Sequence, residues 1–125
     1  MNITLWIVAG LLAALFLAAG AMKLTTPKAK LLQNPNMGWA EDFAPGLIKL
    51  IGAAEVAGAA GLILPGAFDV AAWLVPTAAT GLAVIMAGAI VTHARRSEWS
   101  SVAMNTVLLA LAVFVAVERF GPNSF

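Results

Sequence analysis

Few side chains in this sequence can do chemistry, and the informative ones stand where charge is least expected. Glu55 lies at the centre of 46–64, an apolar run whose one other charged residue is Lys49. At 1.5 Å per residue it is roughly 14 Å from either end, near the middle of a bilayer that such a run would cross. An ionised carboxylate there is costly unless it is paired, hydrated or protonated. Two roles fit it: an acid that exchanges protons or binds a ligand, and a protonated hydrogen-bond donor that fixes helix packing. Its helical face, Ile48, Gly52, Ala59 and Leu62, includes small residues and should point inward.

Lys23 closes the uncharged stretch 2–22 and can lean inward, where a cation relieves the carboxylate. Lys49 stands about 120° around the helix from Glu55, a poor angle for pairing. Snorkelling suits it better, with its stem in lipid and its ammonium at the head groups. His93, the single histidine, shares a face with Leu82, Met86 and Ile90. It reads either as an ordinary neutral imidazole at the interface or as the outermost group of a short path Lys23–His93–Glu55, since histidine titrates near neutral pH. Glu55, His93, Lys23 and Lys49 are therefore the ligand-binding or proton-exchanging candidates, and Glu55 is the candidate catalytic group. Arg95, Arg96 and Glu98 form a charged cap suited to anionic lipid.

The absent residues exclude several chemistries. With no cysteine there is no disulfide framework, CxxC redox centre, thiolate metal site or cysteine nucleophile. One histidine cannot build a bis-histidine haem site or a multi-histidine zinc site within one chain, so no metal is expected. A net charge of +1 gives no electrostatic case for nucleic acid.

The elements that must hold these residues are membrane helices. Of the 125 residues, 62% are hydrophobic and 10% charged, against about 45–50% and about 25% in soluble domains. Four apolar stretches, about 2–22, 46–64, 70–92 and 102–117, are each predicted to cross the bilayer. None alternates apolar and polar residues as a barrel strand does, and backbone groups in lipid must bond within their own segment. The expected fold is an all-α, up-down-up-down four-helix bundle forming one domain over 1–125, with both termini on one side. Ala19, Gly20 and Ala21 resemble a signal-peptidase site, but no basic segment precedes them and the apolar run is too long for a signal peptide. The first helix is therefore expected to be retained.

Basic residues set the orientation. The connections 23–45 and 93–101 hold Lys23, Lys28, Lys30, Arg95 and Arg96, whereas the turn 65–69 holds none. The positive-inside rule places both basic connections in the cytoplasm and both termini outside, with Arg119 running mildly against it. Trp39 and Trp99 at the basic side, and Trp6 and Trp73 at the other, fit an aromatic belt of membrane-surface anchors. Helix seams are expected along small residues: Gly10, Ala14 and Ala18 in the first helix, Ala54 with Gly58 and Ala57 with Gly61 in the second. Gly81 and Gly88 are expected to do the same in the third. Pro76 is expected to kink that helix, with Thr77 and Thr80 satisfying the freed groups.

Four pieces in this order resemble the DoxX-like family of small bacterial membrane proteins: LFLAAGAMKL, IKLIGAAEVAGAAGLILPG, GLAVIMAGAIVTHARRSEW and ERFG. The ordered set of Lys23, Glu55, Pro65, His93, Arg95 and Arg96 carries most of the likeness. The resemblance implies a four-helix bundle in the bacterial plasma membrane, with Lys23, Glu55 and His93 at recurrent polar positions. It also implies kinship with subunits associated with thiosulfate:quinone oxidoreductase. An accessory or binding subunit is the leading reading, holding a quinone or other lipophile and partnered by a membrane oxidoreductase. An intramembrane enzyme with Glu55 as general acid/base comes second. A proton or small-solute pathway comes third, and a chain this short would need a homo-oligomer or a partner for it. No catalytic activity of the chain alone is expected.

Overall fold

The computed structural model describes residues 1–125, apart from the side chain of Asn36. Each apolar run becomes one long helix, because a helix satisfies every backbone group within itself. In chain order the elements are α1 (Asn2–Thr25), the short α2 (Lys28–Leu31), a 3-10 segment (Pro35–Asp42), α3 (Pro45–Phe68), α4 (Leu74–Arg95) and α5 (Trp99–Phe120). The long helices have 22 to 24 residues, roughly 33–36 Å, enough to cross a bilayer. No strand occurs among the described residues. The result is an all-α bundle of four membrane-spanning helices.

Most helix ends reach further than the apolar runs, whereas α4 starts inside its run, at Leu74 rather than at Val70. α3 continues through Pro65 to Phe68 and stops at Asp69, whose left-handed backbone (φ 53°) turns the chain and whose N–H bonds the Pro65 carbonyl. The turn expected at 65–69 therefore falls after the helix, between α3 and α4. Pro65 lies inside α3 and removes the ladder bond to the Gly61 carbonyl, and the helix runs on for three residues before Asp69 ends it. Pro76 does not sit mid-helix, since α4 begins at Leu74 and places it in the first turn. N–H groups in that turn have no intrahelical partner in any case, so the expected kink has no cause.

The helices neighbour one another in the ring order α1, α3, α4, α5, and α1 meets α5 only lightly. The large inward side chains Leu5, Leu12, Phe16, Leu62, Val75 and Leu82 share one core. Outward-facing Ile3, Ile7, Leu50, Val84 and Val107 present apolar surface to lipid. The α1 seam differs from expectation. Gly10, Ala14 and Ala18 face outward, and no atom lies within 4 Å of a side chain built on Gly10. The inward stripe of α1 is Leu5, Ala9, Leu12, Phe16 and Gly20. In lipid a small-residue stripe and a large-residue stripe are equally soluble, so spacing alone does not choose between them. On α3 the partners of the expected pairs do form a seam, with Gly58 against Leu82 and Gly61 against Ala78 of α4, while Ala54 and Ala57 face out. A side chain built on Gly81 or Gly88 would meet nothing within 4 Å.

Candidate functional site

The closest helix contact positions the first functional pair. A Cβ on Gly20 would stand 2.6 Å from the Gly52 carbonyl oxygen, and one on Gly52 would stand 2.8 Å from the Gly20 carbonyl. Only two glycines allow α1 and α3 this near. Lys23 and Glu55 each follow one helical turn later in the sequence. Side chains tilt toward their own helix's N-terminus. Because α1 and α3 run antiparallel, Lys23 and Glu55 tilt toward each other. Lys23 Nζ donates to Glu55 Oε1 at 2.6 Å, and Glu55 is 2% exposed. The carboxylate of the inward face Ile48, Gly52, Ala59 and Leu62 is thus paired in a charge-assisted hydrogen bond. The pair carries no net charge, which lowers the burden of burying either partner.

His93 is held from the other side of the bundle. Its Nδ1 lies 2.8 Å from Glu98 Oε1. Arg96 reaches from Glu98 (Nε to Oε2, 3.4 Å) to Asp42 (3.2 Å), tying the two basic connections together. The hydrogen bond to His93, followed by Arg96, holds the Glu98 carboxyl below the usual glutamate range despite partial burial. A carboxylate only accepts, so Nδ1 carries the shared hydrogen and Nε2 is the ring's other position. Among the described residues Nε2 has no hydrogen-bond partner.

Trp39 joins the two sets. It comes from the 3-10 segment, is buried, and packs edge-on against Phe43 (5.7 Å) and His93 (6.3 Å). Lys23 Nζ lies 5.6 Å from its ring centroid, within reach of a cation–π attraction. The expected surface anchor therefore turns inward as a roof. Trp99 and Trp73 are exposed, and Trp6 packs against Phe125.

These groups wall one cavity of about 430 Å³ in the basic half of the bundle. Its surface is mostly apolar, and Lys23, Glu55, Thr92, His93 and Asn105 are its polar members. A second cavity of about 290 Å³ adjoins it, sharing Trp39, His93 and Asn105 and adding Ser100 and Ser101. The path Lys23–His93–Glu55 is not the order of contacts: Lys23 bonds Glu55 directly, and His93 bonds Glu98. All three nevertheless face the same space. Lys49 does not; it donates to the Leu24 carbonyl at the end of α1. Arg95 is exposed, while Arg96 is engaged by protein carboxylates rather than left to lipid. Glu98 and Asn105 were not foreseen as site residues. Asn105 had a signal, an amide well inside an apolar helix, and among the described residues it makes no hydrogen bond. Glu98 had none, because its role depends on a partner that only the fold supplies.

The arrangement can hydrogen-bond a polar head from several directions, exchange a proton at His93, and enclose apolar mass. Among the described residues no three His, Asp or Glu side chains gather as a metal site would need. Residues 7–115 match the family model described as the DoxX-like family, a stretch that includes every cavity residue named above. No curated protein and no solved structure matches the chain.

Proposed function

The chain belongs to the DoxX-like family, and from that premise we propose that it is an intramembrane binding subunit holding a quinone or similar polar-headed lipophile for a membrane redox system. The observation that carries this reading is the 430 Å³ cavity, apolar over most of its wall and furnished with Lys23, Glu55, His93 and Asn105. Small-molecule sites have this make-up: roughly 300–1,000 Å³, largely apolar, with a few convergent polar groups. The residues fit a quinone-like head. Lys23 and the Asn105 amide can donate to carbonyl oxygens, His93 can donate or accept, and Trp39 offers a flat apolar face. A bound quinone would supply the electron-carrying chemistry, and this chain's residues would bind and orient it. The setting that goes with this role is the bacterial plasma membrane, with the basic connections in the cytoplasm.

The test is titration of the protein in lipid nanodiscs with decylubiquinone, beside mass spectrometry of molecules and proteins that copurify in mild detergent. Glu55→Gln should weaken binding about tenfold or more, the scale of one lost hydrogen bond to a charged group. Wild-type protein that carries only bulk lipid and ignores the added quinone would end this reading.

The His93–Glu98 contact favours a second reading, an intramembrane enzyme. A carboxylate-held imidazole with an unpartnered Nε2 at a cavity wall is a better general base than Glu55, which Lys23 already occupies. On this reading His93→Gln abolishes turnover while ligand binding survives.

A further inference from the structure

We propose that the cavity is loaded sideways, from the hydrocarbon of the leaflet at the basic end, through the gap between α1 and α5. The inference rests on the binding role proposed above and adds the ligand's route and class. The ligand is a single-tailed amphiphile already dissolved in the bilayer, whose head enters first and whose tail trails out between the two helices.

The packing around the ring of helices selects this route. Of its four sides, α1–α5 is the least packed. The core that α1 and α5 share holds Leu5, Leu12 and Phe16 of the first and Ala112, Val115 and Ala116 of the second. In the basic half the α1 residues Leu15, Ala19 and Met22 and the α5 residues Asn105 and Leu108 wall the cavity instead. Leu15 is 52% exposed and Met22 37% exposed. Side chains that face the cavity thus also face lipid, and the wall there is one residue thick. Gly88 widens the same space, since nothing lies within 4 Å of a side chain built on it. The axial route is roofed by Trp39 and Phe43.

Volume and polarity define the ligand. About 430 Å³ takes a ring-sized head and a short stretch of chain. It is too small for a two-chain phospholipid, so the remainder of any tail lies in the gap and in the bilayer. Lys23 and Glu55 stand on one side of the space and His93 and Asn105 on the other, which places the hydrogen-bonding groups around the head. Beyond His93 and Asn105, the second cavity with Ser100 and Ser101 gives the head a polar side. The head therefore rests between a lipid-facing door and a polar vestibule.

The experiment uses two benzoquinones with the same head: 2,3-dimethoxy-5-methyl-1,4-benzoquinone, which has no tail, and decylubiquinone. Binding rates are read from quenching of Trp39 in nanodiscs, with Trp6, Trp73 and Trp99 replaced by Phe. Ala19→Phe and Leu108→Phe narrow the gap from opposite helices, so a folding failure in one leaves the other informative. In the narrowed variants the slowing of the decyl compound should exceed that of the tailless compound by at least threefold. Equal slowing of both compounds, or no slowing of either, overturns the lateral route while leaving the binding role intact. Wild-type protein that binds the tailless compound as tightly as the decyl one overturns the tailed class. Failure of the wild type to bind either compound removes the binding role, and the route with it.

Discussion

The two ends of the bundle treat buried charge in opposite ways. At the far end Arg119 is 5% exposed, lies 3.9 Å from the Phe125 ring centroid and 6.0 Å from that of Trp6, and donates to the Asn123 carbonyl. Asn123 in turn donates to Glu118. Apart from Trp6, these partners lie close to Arg119 in the chain. Phe125 fills the notch left by Gly66, where a Cβ would stand 2.6 Å from its ring. Neither cavity described above is lined by these residues. At the basic end Lys23 with Glu55 and Arg96 with Asp42 join residues distant in sequence, His93 with Glu98 joins near ones, and Lys23, Glu55 and His93 wall the cavity. Locally satisfied charge closes the far end. At the basic end the buried acid is satisfied across helices, by Lys23, and both side chains face a partly polar space, which in a membrane bundle is where function belongs.

The largest test of this contrast is the Lys23–Glu55 pair. Lys23→Met alone or Glu55→Leu alone should lower stability by about 3–5 kcal/mol, because each leaves a bare buried charge. The double replacement should regain most of that loss while abolishing ligand binding. Unfolding in mixed micelles with increasing SDS measures the first effect and decylubiquinone titration the second. A single-replacement loss under about 1 kcal/mol would mean that the pair is effectively exposed, and the contrast between the ends would fail.

Next comes the glycine contact. Gly20→Ala should destabilise by about 1–3 kcal/mol, since the new methyl meets backbone that cannot step aside. Gly10→Ala, on the outward face of the same helix, should be neutral or stabilising by up to about 1 kcal/mol. The same unfolding assay ranks them, and equal effects would remove the glycine pair as the device that brings Lys23 to Glu55.

Smaller still is the far end. Arg119→Met should cost about 1–2 kcal/mol, the scale of a desolvated cation–π contact, and leave quinone affinity unchanged. A change in affinity would show that the two ends are coupled. The smallest effect is with pH. Glu98 is held below the ordinary glutamate range by His93 and Arg96. A depressed carboxyl contributes stability above its unfolded value, and that contribution is lost as pH falls through the folded one. Thermal melts should therefore decline below about pH 4, and Glu98→Gln should flatten that decline.

Much of the fold is legible in the sequence. The four apolar runs mark the helices, and the face Ile48, Gly52, Glu55, Ala59 and Leu62 can be read as inward from its small residues and its one acid. Helix ends are less legible: α3 runs on past Pro65 to Phe68, and Pro76 stands in the first turn of α4, where no ladder bond is lost. The α1 seam was obscured by lipid itself, which accepts Leu5 and Gly10 equally well. The cavity wall was half legible. Lys23, Glu55 and His93 stand out as charge or potential charge among apolar neighbours. Trp39 looks the same in a sequence whether it floats at an interface or roofs a pocket. Glu98 looks like any surface glutamate until His93 is folded beside it.

The separation of Lys23 from Glu55 has a consequence for biosynthesis. α1 is made first and can be in the membrane before α3 arrives 32 residues later in the pair. An acidic residue at the centre of an inserting helix is disfavoured by about 2.5–3.5 kcal/mol when it enters alone. Here it enters beside a helix that already presents a lysine and a glycine groove of matching height. The partner of the buried acid is therefore synthesised before the acid itself, and the second membrane span brings Glu55 to a chain that already holds Lys23.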